Sequence, residues 1–508
     1  MILKRSLFGR LILICLLFPA IKQVASGQNS TPQAVNFARI EASIQQGKLD
    51  EVEKPLLDYA IAHPKDVRAL ELLAQVRYQQ RRFEEAQSLY HRVLALEPTL
   101  IRPKINLARL IYELGHHDRA RLLLGEMAAT SGGTASQRVD LTRALVLVGE
   151  FQKALEVADK LPIVVKNGAA LPLRAASYLG LGERHKLMDL MPLIRTAAVS
   201  NPQVAAECAI LFQKAGMSQE AFDLLRSALP RSPNDFRLLI LLGQMETKAG
   251  NFAAARRHLN RAAKLKPQTE DSLYSFGMLE SAEGNYDAAL TNLKQARGLA
   301  PHSPTILAEL VLNAMRANQP QLALEAANEL VQLKPDDPEH LYLLGAASLQ
   351  NGSLASAQSA LERYKQQRPN DPRGCLALGI TFAGQHGQQQ KAKAEFEECL
   401  RLDPTNVEPT YQLGLILKSE GDVKNAIQMF EEVTRRSSQH ANAFRDLGGL
   451  YLQTGAEMKA RSVLERAVAL NPKDAETHFL LSRLYNLIGE SILARQHLAL
   501  FQKLKAQK

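Results

Sequence analysis

Residues 441–474 read ANAFRDLGGLYLQTGAEMKARSVLERAVALNPKD, and this stretch decides the fold. Apolar residues such as Phe444 and Tyr451 recur at helical spacing before Gly455, and the spacing resumes around Leu464. Glycine ends a helix readily because it adopts positive φ without steric cost, and a proline near the end stops the next helix. The stretch therefore predicts two helices joined by a short turn.

The same pattern returns along the chain at a fixed period, which is the spacing from Pro233 to Pro267. Prolines stop the second helix of each unit, and they include Pro64, Pro98, Pro233, Pro267, Pro301, Pro335, Pro369, Pro404 and Pro472. Glycines mark the turns, and they include Gly115, Gly149, Gly216, Gly250, Gly284, Gly387, Gly421 and Gly455. Alanines let two helix axes approach, and they include Ala86, Ala120, Ala221, Ala255, Ala289, Ala323, Ala426 and Ala460. These three series run in phase and predict fourteen two-helix units from residue 33 onward.

The composition favours helices throughout the chain. Of 508 residues, 46% are hydrophobic and 22% are charged, which is enough apolar surface for a folded core. Only 6% are aromatic and Trp is absent, whereas pleated strands prefer aromatic and β-branched residues. We expect an all-α protein without strands.

This pattern resembles the tetratricopeptide repeat, which reads W-x2-L-G-x2-Y, then A-x3-F, then P. Its first aromatic position is mostly Leu, Thr or His in this chain, as at Leu273, Thr410 and His478. The resemblance covers residues 33–508 and weakens between about 128 and 200. It implies a right-handed superhelical solenoid of about 14 helix-turn-helix repeats with a concave groove for ligands.

The first residues predict a secretory signal peptide at 1–27. A basic start that includes Lys4 and Arg10 precedes an apolar run at 11–20, which is shorter than the roughly 20 residues that cross a bilayer. Small residues follow, and cleavage is expected after Ser26 or Gly27. The alternative is an uncleaved segment that anchors the protein in the membrane. The expected location is therefore periplasmic or secreted, in a bacterial cell, or membrane-anchored.

The predicted domain order follows from the repeats. A short linker at 28–32 leads to N-terminal units at 33–127, degenerate units with a hinge at 128–200, and a regular array at 201–508. No room remains for a catalytic domain, so no enzyme is expected. The chain carries a formal charge of +10, but four of these charges lie in residues 1–27, which contain no acid, so the mature chain is near +6. This mild excess does not predict nucleic-acid binding.

The resemblance implies that helix A residues at the second, fifth, ninth, twelfth and thirteenth places face the groove. Aromatic rings there offer large contact area to a peptide or a sugar, although filling space between helices is the other interpretation. The candidates for ligand contact are Tyr274, Tyr342, Tyr411, Phe479, Arg237, Arg316, Arg445 and Arg483. Acidic groove residues are expected among them at Glu339, Glu408 and Glu476.

Other chemistry finds little support in the sequence. Three cysteines outside the signal segment, Cys208, Cys375 and Cys399, are interpreted as buried filler, and a disulfide framework is not expected. The paired His116 and His117 are adjacent on a turn and cannot converge on one ion, so no metal and no cofactor are predicted. No phosphate-binding loop or nucleophile motif appears.

The sequence thus predicts an exported scaffold that mediates protein–protein interactions in the assembly of an envelope complex or in export. Its partner would be a protein or peptide in the groove. The alternative is a glycan-handling protein of an exopolysaccharide system, in which the aromatic stripe contacts a polysaccharide.

Overall fold

The computed structural model describes residues 36–45, 48–130 and 132–506, and these residues form helices and turns without a strand. The predicted all-α class is therefore confirmed. The predicted signal segment at 1–27 and the linker at 28–32 lie outside the described residues. Among the described helices, none combines the length and the apolar character needed to span a bilayer.

Twenty-nine helices follow one another in the described part of the chain. They are α1 (Phe37–Gln45), α2 (Leu49–Ala62), α3 (Val67–Gln79), α4 (Phe83–Leu96), α5 (Ile101–Glu113), α6 (His117–Ala129), α7 (Ala135–Leu147), α8 (Phe151–Asp159), α9 (Ile163–Lys166), α10 (Leu171–Gly180), α11 (Arg184–Ser200), α12 (Pro202–Lys214), α13 (Ser218–Ala228), α14 (Phe236–Lys248), α15 (Phe252–Leu265), α16 (Glu270–Ala282), α17 (Tyr286–Leu299), α18 (Pro304–Arg316), α19 (Pro320–Leu333), α20 (Pro338–Gln350), α21 (Leu354–Gln367), α22 (Pro372–Ala383), α23 (Gln389–Leu402), α24 (Glu408–Ser419), α25 (Val423–Arg436), α26 (Ala441–Gln453), α27 (Glu457–Leu470), α28 (Ala475–Leu487) and α29 (Ser491–Ala506). All but the four-residue α9 pair in succession as helix A and helix B of a repeat, which gives the fourteen repeats expected.

The helices form two compact units. The N-terminal unit is the described part of Met1–Ala197 together with Ile210–Gly216, and the C-terminal unit is Ala198–Ala209 together with the described part of Met217–Lys508. Within each unit, a helix A packs against its own helix B and against the next repeat. Each unit therefore buries a row of small cores between neighbouring repeats.

The turn between helices A and B needs a left-handed residue, and this explains the glycine series. Gly250 and Gly421 have φ of 78° and 82° there. Where the series lacks glycine, Arg81 and Asn318 adopt the same conformation with φ of 60° and 55°. The turn geometry therefore persists even where the sequence signal is lost.

Close packing inside each repeat explains the small residues. In the repeat at 441–474, a Cβ placed on Gly448 would lie 2.4 Å from Cγ of Leu464, so helix A can approach helix B only with glycine there. Ala460 of the facing helix is fully buried. Helix starts follow the sequence as well, since Asp337 and Asp371 accept backbone hydrogen bonds from Glu339 and Arg373.

Candidate functional site

All eight residues predicted to contact a ligand lie on A helices of the C-terminal unit. The helices and residues are α14 (Arg237), α16 (Tyr274), α18 (Arg316), α20 (Tyr342), α24 (Tyr411), α26 (Arg445) and α28 (Phe479 and Arg483). The side of consecutive A helices that carries these places is called here the A-helix face. The structure groups six of the eight residues into three pairs with different surroundings.

Arg316 and Tyr342 line one cavity of about 450 Å³, called here the tyrosine cavity. Three successive A helices, α18, α20 and α22, form its walls. The other lining residues are Met315, Ala346, Leu349, Gln350, Arg373, Leu376, Ala377 and Ile380. Most of these are apolar, so the cavity can take an apolar side chain while Arg316 stays exposed at its edge.

The Tyr342 ring is held in place from two sides. It packs against Tyr364 with ring centroids 5.3 Å apart, and the Arg373 guanidinium lies 4.9 Å from its centroid. Arg373 in turn donates to both Glu339 and Asp371, at 2.9 Å and 2.7 Å. The hydrogen bond from Arg373, with a further one from Tyr364, lowers the pKa of Asp371 to about 2. The ring is therefore held by Tyr364 and by an ion cluster of one cation and two carboxylates before any ligand arrives.

Beside this cavity, the structure corrects the interpretation of two cysteines as mere filler. Cys375 on α22 and Cys399 on α23 form a disulfide, with their Cα atoms 5.6 Å apart. The sequence does not reveal this pair, because the two cysteines are 24 residues apart and lie at core positions of two different helices. Cys208 is a buried free cysteine, as expected. The disulfide fastens helix A to helix B in the repeat that supplies one cavity wall.

Tyr411 and Arg445 share a different partner, the buried Asp446. The Tyr411 hydroxyl donates to Asp446 at 2.9 Å, and Lys418 and Arg445 donate to the same carboxylate at 2.7 Å and 3.1 Å. Tyr411 is only 6% exposed, and burial raises its pKa. This geometry favours packing over ligand contact at Tyr411, which was the other interpretation of the aromatic stripe.

Phe479 and Arg483 lie together near the last helix. Phe479 is 38% exposed, packs on Phe501 of α29 at 5.2 Å, and has the Arg483 guanidinium 6.0 Å from its centroid. Tyr274 stands apart, where burial raises its pKa to about 12. Arg237 is exposed at the start of α14. Of the four predicted aromatic residues, Tyr342 is thus placed in the wall of the tyrosine cavity.

The sequence analysis did not name several residues of the tyrosine cavity. Ala346, Leu349 and Gln350 occupy the ninth, twelfth and thirteenth places of the repeat that begins at 338, so the rule for groove places would have found them. Arg373 lies at a repeat start, outside that rule. In the described residues, no cluster of three or more His, Cys, Asp or Glu side chains could hold a metal ion. The arrangement is suited to holding a ligand.

Comparison with known proteins supports the repeat assignment. Three family models, all described as tetratricopeptide repeat, match residues 77–138 and 417–484, 209–270 and 308–372, and 373–406. Together these matches cover more than half of the chain. The chain therefore belongs to the tetratricopeptide repeat family, and its repeats make it a scaffold for protein–protein interactions.

Matches to individual proteins are more distant. The general transcriptional corepressor trfA of Dictyostelium discoideum is 26% identical over 110 residues, which are 21% of this chain and 8% of that protein. The chain thus spans less than a tenth of the length of this curated relative. A chain from the crystal structure of the APC/C hetero-tetramer Cut9-Hcn1 matches at 15% identity, with coverage of 84% of this chain and 98% of that chain and a TM-score of 0.41.

Proposed function

We propose that this protein is an exported scaffold that holds an extended segment of a partner protein on the A-helix face of its C-terminal unit, in the assembly of a bacterial envelope complex. The tyrosine cavity carries the proposal. Its apolar walls accept a hydrophobic side chain, and its fixed Tyr342 ring offers contact area with little entropy left to lose.

Two features support export. The sequence at 1–27 has the order of a basic start, an apolar run and small residues that signal peptidases cleave. The disulfide between Cys375 and Cys399 persists in oxidising compartments, such as the periplasm, and is rare in the cytosol. Fractionation of the native host tests this part, with sequencing of the mature N-terminus. A protein found in the cytosol with reduced Cys375 would contradict it.

Photo-crosslinking tests the binding site. A photoreactive amino acid replaces Leu349 inside the cavity, and the matched control replaces the exposed Ser359 on α21 of the same repeat. After irradiation in cells, mass spectrometry should identify one envelope protein captured from position 349 and absent from position 359. Equal capture from both positions would contradict a specific site at the cavity.

A glycan-handling role in exopolysaccharide assembly is the second candidate, and the exposed ring of Phe479 favours it. Sugar rings stack on exposed aromatic faces, and Tyr411 is too buried to extend such a track. Retention on a glycan column should then fall for Phe479→Ala and for Tyr342→Ala. Label on carbohydrate in the crosslinking experiment, with no protein adduct, would place this role ahead of the scaffold.

A further inference from the structure

A second cavity, of about 580 Å³, lies on the A-helix face of the N-terminal unit. It is called here the arginine cavity, and its walls come from α3, α5 and α7, with one contribution from α4. None of the eight residues predicted to contact a ligand belongs to it. Its chemistry differs from that of the tyrosine cavity, because polar atoms form most of its accessible lining.

Arg102, Arg109 and Arg143 line this cavity with one acid, Asp140, and the carboxylate of Glu71, outside the lining, attracts Arg102. Arg102 and Arg109 are exposed, and within the described part of the chain neither guanidinium makes a hydrogen bond or an ion pair. Arg143 is held by other contacts. Arg109 and Arg143 are one repeat apart, so the two occupy the same place on neighbouring A helices. Two like charges beside one opening repel each other, and an anion between them would remove that cost.

The spacing of the two unpaired arginines indicates the shape of the anion. Arg102 and Arg109 are seven residues apart on α5, which is about 10 Å along a helix axis. In a polyproline II segment, which is extended and has three residues per turn, side chains three residues apart lie on the same side of the peptide and about 9 Å apart. A single phosphate would need both long side chains to converge on it, whereas two carboxylates on one extended segment match the spacing of the two positions.

The remaining wall suits a peptide backbone. Gln75, Gln79 and Asn106 each carry an amide that both donates and accepts hydrogen bonds, as an extended backbone requires. Ile105 supplies an apolar patch. Sugar rings would need open aromatic faces, but the lining aromatics are limited to Tyr78 and the buried Tyr90, and Tyr78 packs on Phe83 outside the cavity. The wall therefore favours protein over polysaccharide.

We propose that the arginine cavity binds an extended acidic peptide whose Asp or Glu side chains, three residues apart, pair with Arg102 and Arg109. The site goes beyond the proposed function, because it gives the scaffold a second surface with a charged ligand, and it does not depend on the tyrosine cavity or on export.

Fluorescence anisotropy with the purified chain tests the proposal. The probe is a labelled peptide of about twelve residues of Ser and Gly with two Glu residues three apart, and its matched control carries Gln at both places. The acidic peptide should bind at least about tenfold more tightly, and its affinity should fall as salt is raised. Arg102→Gln and Arg109→Gln should each weaken it by about tenfold, since each removes a charge-assisted hydrogen bond. Equal binding of the two peptides would overturn the proposal.

Two controls make the result specific. Arg195→Gln changes an exposed arginine of α11 outside the cavity and should leave acidic-peptide binding unchanged. Circular dichroism confirms that each variant folds. Tighter binding of a peptide with one phosphoserine, or of a uronic acid oligosaccharide, would overturn the two-carboxylate peptide, as would unchanged binding by both cavity variants.

Discussion

Two arginines on the A-helix face, Arg445 in the C-terminal unit and Arg109 in the N-terminal unit, have opposite surroundings. In the C-terminal unit, Arg445 lies within 3.6 Å of carboxylates from Asp446, Asp474 and Glu476. In the N-terminal unit, the positions equivalent to Arg109 in the preceding and the following repeat are Gln75 and Arg143. Neither of these residues is an acid that could pair with Arg109. A groove arginine is therefore structural or available for ligand according to what the neighbouring repeats supply. The residue type alone does not decide this.

Asp446→Ala should have the largest effect on stability, because it leaves Arg445, Lys418 and the Tyr411 hydroxyl without their common acceptor. Removing one partner of a buried charge network typically costs about 3 to 5 kcal/mol. Urea unfolding measures the loss, and hydrogen exchange should locate it in α24 to α28. Asp140→Ala, which removes the single acid of the arginine cavity, is the matched control and should cost far less. Similar losses for both variants would remove the distinction between the units.

The sequence predicted the fold more fully than the site, and particular residues show why. The three residue series report local needs, such as positive φ at Gly250, that recur in each repeat and are visible without a structure. The partners of Arg445 and the pairing of Cys375 with Cys399 depend on which side chains meet between helices. The rule for groove-facing places selects Tyr342 and Tyr411 equally. Only the packing in the structure shows that Tyr342 lines a cavity whereas Tyr411 is buried.

The disulfide should produce the next largest difference, because it lies in the C-terminal unit and the described part of the N-terminal unit contains no cysteine. Replacing Cys375 and Cys399 together by Ala should lower the free energy of unfolding by about 3 kcal/mol, since the unfolded chain gains the entropy of an open loop. Cys208→Ala is the control and should cost less. If hydrogen exchange of the double variant rose equally in both units, the disulfide would not be a stabilising feature specific to the C-terminal unit.

Mild acid should also weaken the C-terminal unit, through the contact between His478 and His497. The Pro472 carbonyl can only accept, so Nε2 of His478 donates to it at 3.0 Å, and Nδ1 of a neutral His478 accepts from Nδ1 of His497 at 2.9 Å. Burial lowers the pKa of His497, and a positive charge on His478 would lower it further because the two rings are in contact.

Because the pKa of His497 is lower in the folded state, the unfolded state binds a proton at this residue more readily. The contribution of the histidine contact to the free energy of unfolding is therefore complete above about pH 6.5 and falls as the pH drops below it. Hydrogen exchange of α29 between about pH 7 and pH 5 checks this, after correction for the intrinsic rate. His497→Gln should reduce the pH dependence. An identical acid response in this variant would rule out the pair as its source.

Arg109→Gln should have the smallest effect on stability and is the sharpest test of the comparison. Its guanidinium is exposed and makes no hydrogen bond or ion pair within the described residues, so the variant loses neither kind of contact and reduces the positive charge beside Arg143. The urea midpoint should stay the same or rise, whereas Arg445→Gln should lower it because three carboxylates each lose one ion-pair partner. A clear loss of stability in Arg109→Gln would mean that this arginine supports the fold, and the contrast between an available and a structural arginine would then fail.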